Sequence, residues 1–364
     1  MRIAYVIAIT PALAWPIGTI LADEEVSWKE RACLRMPEPN DVGGVKFSVD
    51  GKQILAFGHA AIVIWNVEEA KELHRINTRD MGSVMGSLTS DGKKVFLVDY
   101  GKFFAFYDLK SKQEEKRRQL NDDKIYDHYH VVALSPHEKM IAVGGETHTA
   151  TLLDAKTLKE IGKLEGHFPV CKLAFTPDNK SLVTIPLPNV HVGKAPRSEE
   201  GNIIVWDIAK RERRLTLELH TAKYMVDSFT ISSDSKLLAT ASGGEEAIRI
   251  WDLTTGKETD RFYLNSRHPN SGTQVAGLSF SPDSKLLAVA GTFPHQLVLI
   301  DMKTSHFVCK FEELFDKRSH GPRIGSVAFS PDGKLLAVGC SDKTVRLFEI
   351  KRRMDEKENK EKEK

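Results

Sequence analysis

The chain has 364 residues, 41% of them hydrophobic and 28% charged, which is enough apolar material for a large core and too much for a disordered polymer. Lys and Arg number 52 against 50 Asp and Glu, a net charge of +2 that argues against a phosphate backbone or an anionic membrane as the principal partner. The four cysteines, Cys33, Cys171, Cys309 and Cys340, are widely spaced with no CxxC pair, and read as core residues and not as a disulfide framework.

Residues 1–22 stand apart. Arg2 is followed by an apolar stretch to Ala22, broken by Pro11, Pro16 and Gly18, and then by Asp23, Glu24 and Glu25. A short positive start, an apolar centre and small residues at its end describe an export signal, cleaved after Ala14 or after Ala22. Uncleaved, the same twenty-odd residues are long enough to anchor the chain in a bilayer. Nothing downstream is apolar for that length.

From Phe47 onward the chain repeats itself. FSVDGKQILAFG from Phe47 returns as LTSDGKKVFLVD from Leu88, LSPHEKMIAVGG from Leu134 and FTPDNKSLVTI from Phe175. It returns again as ISSDSKLLATAS from Ile231, FSPDSKLLAVAG from Phe280 and FSPDGKLLAVG from Phe329. The turn residue falls at Asp50, Asp91, His137, Asp178, Asp234, Asp283 and Asp332, which makes seven units. A second mark follows in every unit, a large apolar residue next to an acid or asparagine: Trp65-Asn66, Tyr107-Asp108, Leu153-Asp154, Trp206-Asp207, Trp251-Asp252, Ile300-Asp301 and Phe348-Glu349.

Each unit reads as a four-stranded antiparallel sheet. An apolar run enters a tight turn in which Pro and Gly supply the dihedrals. The next run is apolar on both faces, a third ends at the aromatic–acidic pair, and a more polar fourth suits an outer edge. One such sheet cannot bury both faces alone; sheets packed radially can. The expected fold is therefore all-β, a seven-bladed propeller over residues 23–350.

On these motifs the chain resembles the WD-repeat β-propeller family from about residue 27 to 350. The resemblance implies a hydrogen-bonded set inside a blade: His167, Thr184, Glu200 and Trp206 in blade four, and His220, Thr240, Glu245 and Trp251 in blade five. Both sets carry Glu where the family has Asp. Blade seven has His320 and Asp342, but Val338 and Phe348 do not complete the set.

After Ile350 no fourth run remains, because residues 351–364 (KRRMDEKENKEKEK) are nearly all charged and read as a disordered tail. Residues 27–36 (SWKERACLRM) resemble the missing run. The N-terminal strand is therefore expected to pair with the last blade and remove its open edge.

Few residues suggest chemistry. Asp127, His128 and His130 have a spacing that can ligate a divalent metal, although a polar loop explains them as well. No nucleophile elbow, phosphate loop or zinc helix motif occurs, so the reading assigns no catalytic residue, cofactor or metal ligand. Asn179-Lys180-Ser181 matches a glycosylation acceptor but sits in a repeat turn. The elaborate connections are residues 186–200, 126–130, 267–270 and 312–323, all on the face that joins strands two to three and four to one. Tyr126, Tyr129, Lys194, Arg197, Arg267, His268, Arg318 and Arg323 are the candidate partner contacts there.

The expected function is a non-catalytic platform, monomeric and exported, that binds a protein or peptide and no nucleic acid. A membrane enters only if the N-terminal segment is retained. The alternatives are a propeller enzyme, a lactonase-like hydrolase or dehydrogenase with a metal or cofactor at the channel mouth, and a structural envelope protein.

Overall fold

The computed structural model describes residues 26–37, 41–81, 84–99, 102–120, 131–145, 149–166, 169–186, 202–218, 225–242, 244–245, 247–263, 275–291, 297–311 and 322–352. Their strands form seven four-stranded antiparallel sheets, the blades of a β-propeller. Six blades are continuous in sequence. Blade one runs from Gly44–Phe47 on the inside to Lys71–Asn77 on the outside, and blade six from Val275–Phe280 to His306–Lys310.

Blade seven is made from both ends of the chain. Its inner three strands are Ile324–Phe329, Leu335–Cys340 and Thr344–Arg352, and its outer strand is Val26–Arg35. The N-terminal strand pairs antiparallel with the last one from Val26↔Arg352 to Arg35↔Thr344, with a bulge between Glu30 and Ala32. It also packs. Leu34 and Met36 are buried, and the Trp28 ring lies 4.8 Å from Phe311 and 5.5 Å from Phe348. The expected closure is thus present.

The strand of Thr344–Arg352 continues two residues past the boundary expected at Ile350. Lys351 and Arg352 belong to blade seven and not to a disordered tail, because they pair with Ser27 and Val26. Arg352 also holds Asp283 of blade six through Nη1–Oδ2 at 2.6 Å.

Each of the seven junctions between blades carries an apolar layer. The apolar member of the repeated pair plugs each layer from the following blade. Trp65 enters the junction of blades seven and one, Leu153 that of two and three, and Trp206 that of three and four. Trp251, Ile300 and Phe348 do the same for blades four–five, five–six and six–seven, and half-buried Tyr107 packs against blade one. The acidic member has a separate task. Asn66, Asp108, Asp154, Asp207, Asp252 and Asp301 accept backbone N–H bonds that tie the turn into the outer strand. Blade seven has no such turn, since its outer strand comes from the other end of the chain, and Glu349 stands there inside a strand.

The first turn of each blade is built around a buried hydroxyl. Ser48, Thr89, Thr176, Ser232, Ser281 and Ser330 each donate to the Asp two residues on, at 2.5–2.7 Å. Blade three keeps Ser135, which accepts from Met140 N, but has His137 in place of the Asp. The residue after this position takes a left-handed backbone in all seven blades: Gly51, Gly92, Glu138, Asn179, Ser235, Ser284 and Gly333. Glycine was expected to relieve that conformation, yet four blades use a side chain.

The exception has a physical reason. Each of the four side chains reaches the turn of the preceding blade. Glu138 accepts from Ser90 N, Asn179 Oδ1 from His137 N at 3.1 Å, and Ser235 Oγ from Asp178 N at 3.0 Å, while Ser284 Oγ lies 3.4 Å from Ser233 Oγ. The glycines instead let the turn sit close to its neighbour; a Cβ on Gly51 would stand 3.4 Å from Pro331 Cδ, and one on Gly333 3.3 Å from Pro282 Cδ. The turns therefore latch blade to blade around this face. Asn179→Ala should keep the left-handed strain and lose the latch, costing about 1 kcal/mol. Asn179→Gly should lose the latch but relieve strain of about 1–2 kcal/mol, and so come out near wild type. Denaturant unfolding of the two variants checks the ordering.

The Arg352–Asp283 bridge adds a pH signature. Burial raises the Asp283 pKa, but hydrogen bonds from Arg352, Ser281 and Lys285 N outweigh it and hold the carboxyl at about 2. A depressed carboxylate stabilises the fold above its unfolded value of about 3.9, and that contribution is lost as pH falls toward 2. Asp283→Asn should therefore shrink the loss of stability between about pH 4 and pH 2, measured as the fall in melting temperature across that window.

Cys33 corrects the reading of the cysteines as core. It is exposed on the outermost strand of blade seven; Cys171 and Cys309 are half-buried and Cys340 is buried. All four are free thiols, and burial pushes Cys340 up to about 12 and Cys171 and Cys309 up to about 11. Such thiols are poor nucleophiles at neutral pH.

Candidate partner-binding face

A blade has two ends. The turns joining strands one to two and three to four occupy one of them, and Lys334 and Lys257 lie in such turns. At the other end, connections from strands two to three meet connections entering the next inner strand. Ser341 N donates to Arg323 O at 2.8 Å, and Arg323 N donates to Ser341 Oγ at 2.8 Å. Between blades, Val170 N reaches Gly145 O at 2.8 Å and Val42 N reaches Cys340 O at 3.4 Å. These backbone bonds bring both kinds of connection onto one face.

Of the candidate contacts, Arg323 is described: it is exposed at that face, with its backbone fixed by Ser341. Tyr126, Tyr129, Lys194, Arg197, Arg267, His268 and Arg318 lie outside the described residues, as do His128, His130 and residues 1–22. Met225, at the entry to blade five, adds an exposed apolar side chain that the sequence reading did not single out.

The two tryptophan sets are described in part. Trp206 Nε1 donates to Thr184 Oγ1 at 2.9 Å, and Thr184 Oγ1 donates to Ile204 O at 3.2 Å. Trp251 Nε1 donates to Thr240 Oγ1 at 2.9 Å. All four side chains are buried, so each indole N–H and its threonine satisfy one another in the core. His167, Glu200 and His220 lie outside the described residues.

Glu245 makes a contact that the family pattern did not suggest. Its Oε2 accepts from Arg249 Nε at 2.9 Å, and Arg249 Nη1 lies 3.6 Å from Glu258 Oε2. Arg249 is buried among the apolar residues 247–251 of the third strand, where charge is costly unless paired. A single arginine inside IRIW was the available signal. Among the described residues no three His, Cys, Asp or Glu side chains gather as a metal site, and no helix is long and apolar enough to cross a membrane.

Seven four-stranded blades, closed by a strand from the opposite terminus and plugged by a repeated large apolar residue, define a β-propeller of the repeat class. Three stretches, residues 158–207, 211–252 and 311–349, match the model of the WD domain, G-beta repeat. The first two begin at the outer strand of one blade and end at the Trp-Asp pair of the next. The sequence repeat is thus out of phase with the blade, which is why an N-terminal strand is left over to complete the last one. WD repeat-containing protein 41 of Mus musculus is 27% identical over 124 residues, 33% of this chain. That match spans 27% of the relative's own length. Seven blades and three matched repeats together support a β-propeller of the WD-repeat family, a class that commonly mediates protein interactions.

Proposed function

We propose that this propeller is a non-catalytic, exported platform that docks a protein or peptide on its loop-rich face, over the channel mouth. The observation that carries the reading is the unequal use of the two faces. On the turn face, the first turns of the blades are engaged with one another, their polar groups spent on latching neighbours. The strands that the long connections join end at the opposite face, which also carries the exposed Arg323 and the exposed Met225. Binding residues on a rigid scaffold are commonly carried by such connections. Export rests on the apolar segment of residues 1–22 alone.

The test uses a partner recovered by affinity capture from the exported fraction. Charge reversal of Arg197 and Arg267 together should weaken its binding by about ten-fold or more, with no change in melting temperature. Normal binding by that variant, with loss of binding when Lys334 and Lys257 are reversed instead, would place the partner on the turn face and end this reading.

A further inference from the structure

The seven inner strands surround the propeller axis, and their sequences are nearly free of charge. Across Gly44–Phe47, Val84–Leu88, Val131–Leu134, Val170–Phe175, Ser228–Ile231, Val275–Phe280 and Ile324–Phe329 the charged residues are Lys46 and Lys172, both cationic. No carboxylate occurs in these strands.

Register places Lys46 in a defined layer. It pairs with Leu55, one step before the end of its strand, and the matching pairs are Ser87↔Phe96, Ala133↔Ala142, Ala174↔Val183, Thr230↔Ala239, Ser279↔Ala288 and Ala328↔Ala337. One lysine thus shares a ring with three hydroxyl residues and three alanines. Every member of the ring is exposed or half-buried, as side chains beside a central channel should be. The other six side chains are small, and three carry hydroxyls, of which Ser279 Oγ also accepts from Phe329 N at 3.0 Å and lies 3.5 Å from Phe280 O.

Lys46 itself keeps solvent contact, yet enough protein surrounds its ammonium to lower its pKa by desolvation. That combination fits a side chain lying in a narrow channel. No hydrogen bond or ion pair to the Lys46 ammonium is found among the described residues, whereas Lys94 holds Glu115 at 2.6 Å and Lys102 lies 3.8 Å from Asp99. Lys172 comes from blade four, on the opposite side of the ring from blade one. It sits two residues nearer the start of its strand than the ring member Ala174, about 7 Å away along the strand. It too lacks a charged partner among the described residues. Two cations and no carboxylate within the seven inner strands give an excess of positive charge that a bound anion would neutralise.

We infer that the channel at Lys46 is a binding site for a compact oxyanion, a carboxylate or phosphate group. Lys46 provides the charge, and the hydroxyls of Ser87, Thr230 and Ser279 line the same layer. Lys172 adds a second positive charge from the opposite wall. The site does not depend on which face carries a protein partner. The two sources of such a group are a free anion and an acidic side chain inserted from a peptide.

Trace acetylation of the full chain, read lysine by lysine by mass spectrometry, tests the site with inorganic phosphate and with a blocked hexaglutamate peptide as probes. Millimolar phosphate, or the peptide, should slow acetylation of Lys46 about five-fold or more and leave Lys257 and Lys334 unchanged. Protection by phosphate identifies a free-anion site; protection by the peptide alone identifies a site for an inserted acidic side chain. Lys46→Met should bind the protecting probe about ten-fold more weakly by calorimetry, at an unchanged melting temperature. Equal acetylation of Lys46 with and without both probes would overturn the inference. So would unaltered probe binding by Lys46→Met.

Discussion

Removal of residues 26–36 should leave a chain that no longer folds to a monodisperse monomer. The deletion exposes the edge of Thr344–Arg352 and removes the ladder from Val26↔Arg352 to Arg35↔Thr344. Each lost hydrogen bond is worth about 0.5–1.5 kcal/mol net. Leu34 and Met36, 3% and 2% exposed, add about 1.5–3 kcal/mol each. Loss of the Trp28 contacts with Phe311 and Phe348 removes about 0.5–1.5 kcal/mol for each ring pair beyond the area buried. The total is comparable with the whole stability of an ordinary domain, about 5–15 kcal/mol. The unpaired edge is also a template for aggregation. Thermal unfolding and light scattering check the result, and a synthetic peptide of residues 26–37 should restore solubility when added during refolding. A truncated protein with an unchanged melting temperature would show that closure does not matter to stability.

Trp251→Ala should cost about 3–5 kcal/mol, because it opens a cavity in the junction between blades four and five. The indole is 3% exposed and its N–H is satisfied by Thr240. Thr240→Val keeps the volume and strands that N–H in the core, costing less, about 1–3 kcal/mol. Because the two groups share one hydrogen bond, the double variant should lose less than the sum of the singles. Chemical denaturation of the three variants at a common m-value measures this. If Trp251→Ala were as stable as wild type but lost a ligand, the residue would belong to a binding site and not to the core.

Both results concern features that the sequence determined. The seven turn motifs and the seven pairs of a large apolar residue with an acid or asparagine are local patterns, repeated because every blade solves the same packing problem. Seven in-phase copies therefore disclose blade number, strand order and the missing outer strand of blade seven. The Trp–Thr pairs of blades four and five were legible only through the resemblance to the WD-repeat family, which implies such a set inside a blade.

Tertiary structure decided what depends on residues far apart in the chain. Whether Glu138, Asn179, Ser235 and Ser284 are strained turn residues or latches cannot be read locally, since each partner belongs to the preceding blade. Arg352 looked like the start of a charged tail until its partner at Asp283, 69 residues away, entered. Lys46 and Lys172 were two lysines among many in the sequence. Only the ring of inner strands puts them on opposite walls of one channel, among strands that carry no carboxylate of their own. Local repetition specifies the blade; the circular closure of seven blades brings together the groups that no single repeat contains.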